Sequence, residues 1–89
     1  MHYVYLLKDP KSSAIYVGFT SDLKRRYQEH QKLERHDGWK LAYYEAYVDE
    51  SEARERERRL KSYGSALGKL KARIRRSMDF SGLERAGSQ

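Results

Sequence analysis

Five side chains of this 89-residue chain could hold charge or move a proton from positions that the sequence pattern turns inward: Tyr5, Tyr16, Arg26, His30 and Glu57. The two tyrosines stand in runs rich in β-branched and aromatic residues, at 2–7 and 14–18, joined by turn formers at 8–13. If Leu7 pairs with Ala14, Tyr5 falls directly opposite Tyr16 on one face of a hairpin. Two phenols so placed suit either a packed cross-strand pair or proton transfer, and the latter requires a phenol shifted from its usual pKa of about 10. Arg26 and His30 share a helical stripe with Leu23 and Tyr27 at i, i+3, i+4 and i+7. A cation or imidazole there is costly without a partner, so the stripe opens into a cleft or meets an acid, and the cleft is the expectation. His30 taken alone also fits a satisfied structural histidine. Glu57 lies between Ala53 and Leu60 on a second inward stripe, where it suits a salt bridge to Arg26 or Lys61.

These positions require a definite set of elements. The hairpin ends at Gly18, where a missing Cβ would let a ligand or another backbone approach closely. Thr20 or Ser21 caps a helix from Asp22 to about Leu33, and the polar residues 34–38 read as a loop. A third strand over 39–48 would carry Leu41, Tyr43, Glu45 and Tyr47 on one face and Ala42, Tyr44, Ala46 and Val48 on the other, with Glu45 either a surface charge or an acid supporting the site. Asp49 and Glu52 form a capping arrangement for the helix that carries Glu57. Glu52-Arg56, Glu55-Arg59 and Glu57-Lys61 would pair along that helix at i, i+4. Gly64 then stops it, and Ser65 caps a last helix with an apolar line of Leu67, Leu70 and Ile74. The expected fold is α+β, a small three-stranded, at least partly antiparallel sheet flanked by about three helices. Residues 1–78 form one domain, with 79–89 a mobile tail.

Composition narrows the function classes. A chain this short buries only roughly 60% of its unfolded surface, which allows one thin core. There is no cysteine, so neither disulfides nor thiolate metal sites brace it, and a cytoplasmic location is expected. No stretch reads as a signal peptide or a membrane span. Nineteen Lys and Arg against thirteen acids give a net charge of +6, which favours polyanionic partners. The excess is concentrated: residues 54–76 hold ten basic residues against Glu55 and Glu57. That segment is either a solvated helix surface or a phosphate-binding one.

Tyr3-Val4-Tyr5, then Tyr16-Val17-Gly18, then residues 21–26 resemble the paired tyrosine motifs and first helix of the GIY-YIG endonuclease superfamily. The likeness continues through residues 39–45 and 52–61 to about Ile74. It is similar to the small stand-alone bacterial members and to the N-terminal nuclease domain found in bacterial excinuclease. What the resemblance implies is a divalent-metal-dependent endonuclease acting on DNA, with a structure-specific or repair role. Glu57 would hold Mg²⁺ or Mn²⁺, Arg26 the scissile phosphate, Tyr16 or Tyr5 would accept the proton of the attacking water, and His30 would support. Gly18, Lys24, Arg25, Lys61, Lys69, Lys71, Arg73 and Arg76 would meet the nucleic acid. Branched, nicked or single-stranded DNA is the expected partner, with RNA less favoured and no membrane role.

Three departures bear on this. The chain has no asparagine, where many members carry a late one near the metal; Phe19 replaces a basic residue after the second motif; Tyr3 replaces the first motif's glycine. These leave Tyr5, Tyr16, Arg26 and Glu57 in place, so they weigh on catalytic vigour and not on the fold. Two other classes compete: a catalytically weak nucleic-acid-binding module using the same basic groove, and a structural protein that binds ribosomal RNA. The second predicts RNA preference and indifference to Glu57.

Overall fold

A computed structural model describes residues 1–33 and 36–79. The tyrosine-rich start folds as an antiparallel hairpin of β1 (His2–Lys8) and β2 (Ile15–Thr20). Its connector is set by Asp9, whose carboxylate accepts from the Lys11 N–H at 3.0 Å and the Ser12 hydroxyl at 2.9 Å. The Asp9 N–H donates to the Ala14 carbonyl at 3.1 Å, so the ladder begins with Lys8 opposite Ile15. Pairing is therefore displaced by two residues from the expected register. Tyr5 lies opposite Gly18 and Leu7 opposite Tyr16, which keeps both phenols on one face but makes them diagonal neighbours.

The role expected for Gly18 also changes. A Cβ built there would run into Cζ and the hydroxyl of Tyr5. The glycine makes room for that ring, and Gly18 itself is buried, so no ligand gains access through it.

Helix α1 (Leu23–Lys32) is capped one residue later than expected: Asp22 accepts from the Arg25 N–H at 3.2 Å, while Thr20 Oγ1 accepts from the Asp22 N–H at 3.0 Å. Strand β3 (Lys40–Tyr47) pairs antiparallel with the far side of β1, giving the order β2-β1-β3 and a wholly antiparallel sheet. The β1–β3 register slips between Leu6 and Leu7, so that Tyr43 faces Leu6 but Leu41 faces Leu7. Ala42 is the extra residue. This bulge moves Leu41 off the face of Tyr43, Glu45 and Tyr47 and onto that of Tyr44, against the simple alternation.

Asp49 caps α2 (Glu50–Ser62), accepting from the Glu52 N–H at 2.9 Å. Helix α3 (Gly64–Arg73) follows at once, with Tyr63 in the cap position and Ser65 already inside the helix. Backbone at Ile74 (φ −107, ψ 29) then leaves helical geometry, and the short α4 (Arg75–Asp79) makes four α-helices among the described residues, where about three were expected. The tail expected over 79–89 lies outside the described residues apart from Asp79. Val4, Leu6 and Val17 pack against Ala53, Leu60, Leu70, Ile74 and Met78 to form the core. Each large side chain among them contributes roughly 1.5–3 kcal/mol by leaving water. The opposite face of the sheet, carrying Tyr5 and Tyr16, looks toward α1.

Candidate active site

On that face β1 places Tyr5 at the centre. Its side chain is only 1% exposed, and its hydroxyl lies 2.8 Å from Nε2 of His30 on α1. Nδ1 of His30 lies 3.0 Å from Nδ1 of His36, in the connection to β3. Tyr16 packs its half-buried ring against both imidazoles, with centroids 4.9 Å away in each case, and against Tyr5 at 6.2 Å. Trp39 closes the cluster on His36 at 4.8 Å. Tyr27 and Gln31 anchor α1 further by donating to the Trp39 carbonyl. Burial pushes the Tyr5 phenol from 10.0 up to about 12; neighbouring Tyr16 adds to the rise, and Arg26 opposes it without prevailing. A protonated Tyr5 can donate to Nε2 of His30, which leaves the His30 Nδ1–H to donate to His36.

Arg26 sits one turn before His30. Its guanidinium bonds Glu29 at 3.0 Å and also interacts with the phenols of Tyr5 and Tyr16. At 37% side-chain exposure, it stands at the mouth of the cluster where an anion can reach it. Glu57 on α2 is 20% exposed, pairs with Lys61 at 2.9 Å, and is near enough to Tyr5 for its charge to favour the protonated phenol. Tyr5, Tyr16, Arg26 and His30 are thus brought together, with Glu57 alongside. Of the two salt bridges expected as alternatives for Glu57, the one to Lys61 forms, while Arg26 is taken by Glu29.

Among the described residues no group of three or more His, Cys, Asp or Glu side chains could cage a metal ion. A hard cation that keeps several waters and needs one or two carboxylates beside a substrate phosphate fits the single, partly open Glu57 carboxylate. The imidazole pair, buried and engaged with a phenol, offers such an ion no oxygen.

The basic residues divide among several places. Lys24 lines a cavity of about 470 Å³ with Tyr3, Tyr27, Leu41 and Tyr44. Arg25 pairs with Asp22 at 3.6 Å. Lys69 and Arg73 line a cleft between α2 and α3 that includes none of the five site residues. Lys71 and Arg76 are exposed on α3 and α4.

Sequence reasoning missed His36, which no periodicity marks because it follows the end of α1. It also missed the use of Glu45. That carboxylate accepts from Arg56 through both Nε and Nη2 at 3.0–3.1 Å, from Tyr43 at 2.8 Å and from Tyr47 at 2.6 Å. Burial acts to raise its pKa, but those donors outweigh it and hold the group below the usual carboxylate range. Arg56 is thereby drawn away from Glu52, whereas Glu55–Arg59 forms as expected at 2.9 Å. Glu45 lies on the core side of the sheet and ties β3 to α2.

A family model described as the GIY-YIG catalytic domain matches residues 1–71. No curated protein and no solved structure matches the chain.

Proposed function

The chain belongs to the GIY-YIG nuclease family, and on that premise we propose that it is a divalent-metal-dependent DNA endonuclease in which Tyr16 accepts the proton of the attacking water over a phosphate held by Arg26. The observation that carries this reading is the convergence of two phenols, an imidazole and a guanidinium on one face of the sheet, with a carboxylate beside them. Phosphodiester hydrolysis needs a proton acceptor for the water, positive charge on the phosphoryl oxygens and help for the leaving oxygen.

Two features favour Tyr16 over Tyr5 as the acceptor. Tyr5 is buried and its pKa is pushed up to about 12, so it stays protonated and serves as a fixed hydrogen-bond partner of His30. Tyr16 is only half-buried, within reach of water, and interacts with the Arg26 guanidinium that would hold the phosphate. Arg26 would exchange Glu29 for the substrate phosphate, a contact its planar fork suits. His30, held by Tyr5 and His36, fixes the wall against which Tyr16 rests. Glu57 would hold Mg²⁺ or Mn²⁺, with Lys61 as its present partner. When bound, the ion supplies positive charge against the phosphate and the leaving oxygen. Exposed Lys24, Arg25, Lys71 and Arg76 would add phosphate contacts without sequence preference.

The test is a cleavage panel of duplex, nicked, branched and single-stranded DNA with Mg²⁺ or Mn²⁺, run beside Glu57→Gln. The wild type should cut at least one substrate, while the variant binds it and does not cut. Binding without cleavage on every substrate would establish a nucleic-acid-binding module instead.

A further inference from the structure

We propose that the cleft between α2 and α3 is a second binding site, taking one unpaired nucleotide of a nucleic acid with its base against Tyr63 and its flanking phosphates on Lys69 and Arg73. The cleft has a volume of about 450 Å³, within the range of pockets that accept ligands of nucleotide size. No carboxylate lines it. Of its four cations, Arg56 is committed to Glu45 and Arg59 to Glu55. Lys69 and Arg73 have no ion-pair partner among the described residues, so two positive charges face the cleft uncompensated.

Tyr63, 53% exposed on the rim, interacts through its side chain with Arg58. A large exposed ring at one end of a cleft that also holds two unpaired cations is an arrangement that suits single strands, because every base has a face to stack while the phosphates need only positive charge. Bases of an intact duplex are stacked on one another and cannot reach such a ring. The sites share one turn of α2, since Arg56 and Arg59 wall the cleft while the charge of Glu57 is felt at Tyr5. Arg56 and Glu57, adjacent on that turn, thus belong to the edges of the two sites. This deepens the nuclease reading: the substrate would carry an unpaired nucleotide close to the scissile phosphate.

Binding of labelled oligo-dT and of a blunt duplex by the full chain, measured by anisotropy in EDTA, tests the site without any cleavage. Tyr63→Ala should weaken oligo-dT about 10-fold and change duplex affinity less than twofold, while Tyr63→Phe keeps wild-type binding to both. The Lys69→Gln/Arg73→Gln double variant should flatten the log-log salt dependence of oligo-dT binding by roughly 1.4, at about 0.7 per lost contact. Equal effects of Tyr63→Ala on both DNAs, no effect on either, or an unchanged salt slope would overturn the proposal. Because metal is absent, a protein that never cleaves can still pass this test, and an active nuclease can fail it.

Discussion

On one face of the sheet Val4, Leu6 and Val17 meet Ala53, Leu60, Leu70, Ile74 and Met78 through aliphatic contact, whereas on the other Tyr5 and Tyr16 meet His30 and His36 through ring edges and hydrogen bonds. Aliphatic contact is non-directional and adds up with area. Phenol and imidazole contacts are directional, and each fixes an angle and a proton position. A domain this small has one sheet with which to do both tasks. It assigns cohesion to the face under α2, α3 and α4 and, in the mechanism we propose, chemistry to the face under α1. Glu45 crosses that division: on the cohesive side it carries a half-buried, charged hydrogen-bond network that joins β3 to α2.

The sharpest way to separate the faces is to remove single hydroxyls. Tyr16→Phe should lower cleavage by about 10² to 10⁴, equivalent to about 3–5 kcal/mol of barrier, with melting temperature and DNA affinity little changed. Tyr5→Phe should cost less in rate, since in the proposed mechanism its hydroxyl orients and does not accept the proton. Full cleavage by both variants would end the phenol mechanism.

The cohesive face should respond in stability and not in rate. Leu60→Ala leaves a cavity under the sheet and should cost about 2–5 kcal/mol in denaturant unfolding, with the surviving folded protein keeping its chemistry. Gly18→Ala, on the other face, drives a methyl into the Tyr5 ring and should cost about 1–3 kcal/mol while also displacing the phenols. If Gly18→Ala were neutral in both melting and cleavage, the Tyr5–Gly18 interlock would be refuted.

Alkaline pH should probe each face by a phenol. Tyr5 and Tyr47 are both pushed up to about 12, Tyr5 chiefly by burial and Tyr47 by burial together with its bond to Glu45. The folded pKa exceeds the unfolded value near 10, so the stabilisation is fully present below pH 10. It is lost as pH rises from 10 toward 12, because only the unfolded chain releases the proton in that window. For Tyr5 the loss should reach about 3 kcal/mol at roughly 1.4 kcal/mol per unit. Melts from pH 9 to 12 should fall steeply for the wild type and less steeply for Tyr5→Phe and Tyr47→Phe. A flat profile would exclude the shifts.

Much of this arrangement is legible in the sequence because it is local. Asp49 and Glu52 mark the start of α2; Ala53, Glu57 and Leu60 mark one stripe; Glu55–Arg59 and Glu57–Lys61 follow from helical spacing alone. The β1–β2 register escapes strand propensity because it depends on the Asp9 side chain folding the connector and on a ring in β1 filling the space over a glycine in β2. Leu41 changes faces because one bulged residue inverts alternation. Arg56 prefers Glu45, eleven residues away, to Glu52 on its own helix, since a half-buried carboxylate with two phenols already bonded offers better geometry than a solvated one. His36 carries no local pattern, and only the approach of α1 to the sheet makes it part of the site.

Helix α1 has a further property that follows from how it is held. His30 is its one buried residue, and its grip on the sheet is a few side-chain hydrogen bonds and ring edges. Breaking those leaves the aliphatic cluster under α2, α3 and α4 intact, so lifting α1 away should require less free energy than unfolding the whole domain. Its amides should exchange with solvent through this local opening while those of α2, anchored by Ala53 and Leu60, wait for global unfolding. Arg26 rides on the looser unit. A phosphate bound between Arg26 and the phenols of the sheet would act as a clasp, slowing exchange along α1 and completing the site only when substrate is present.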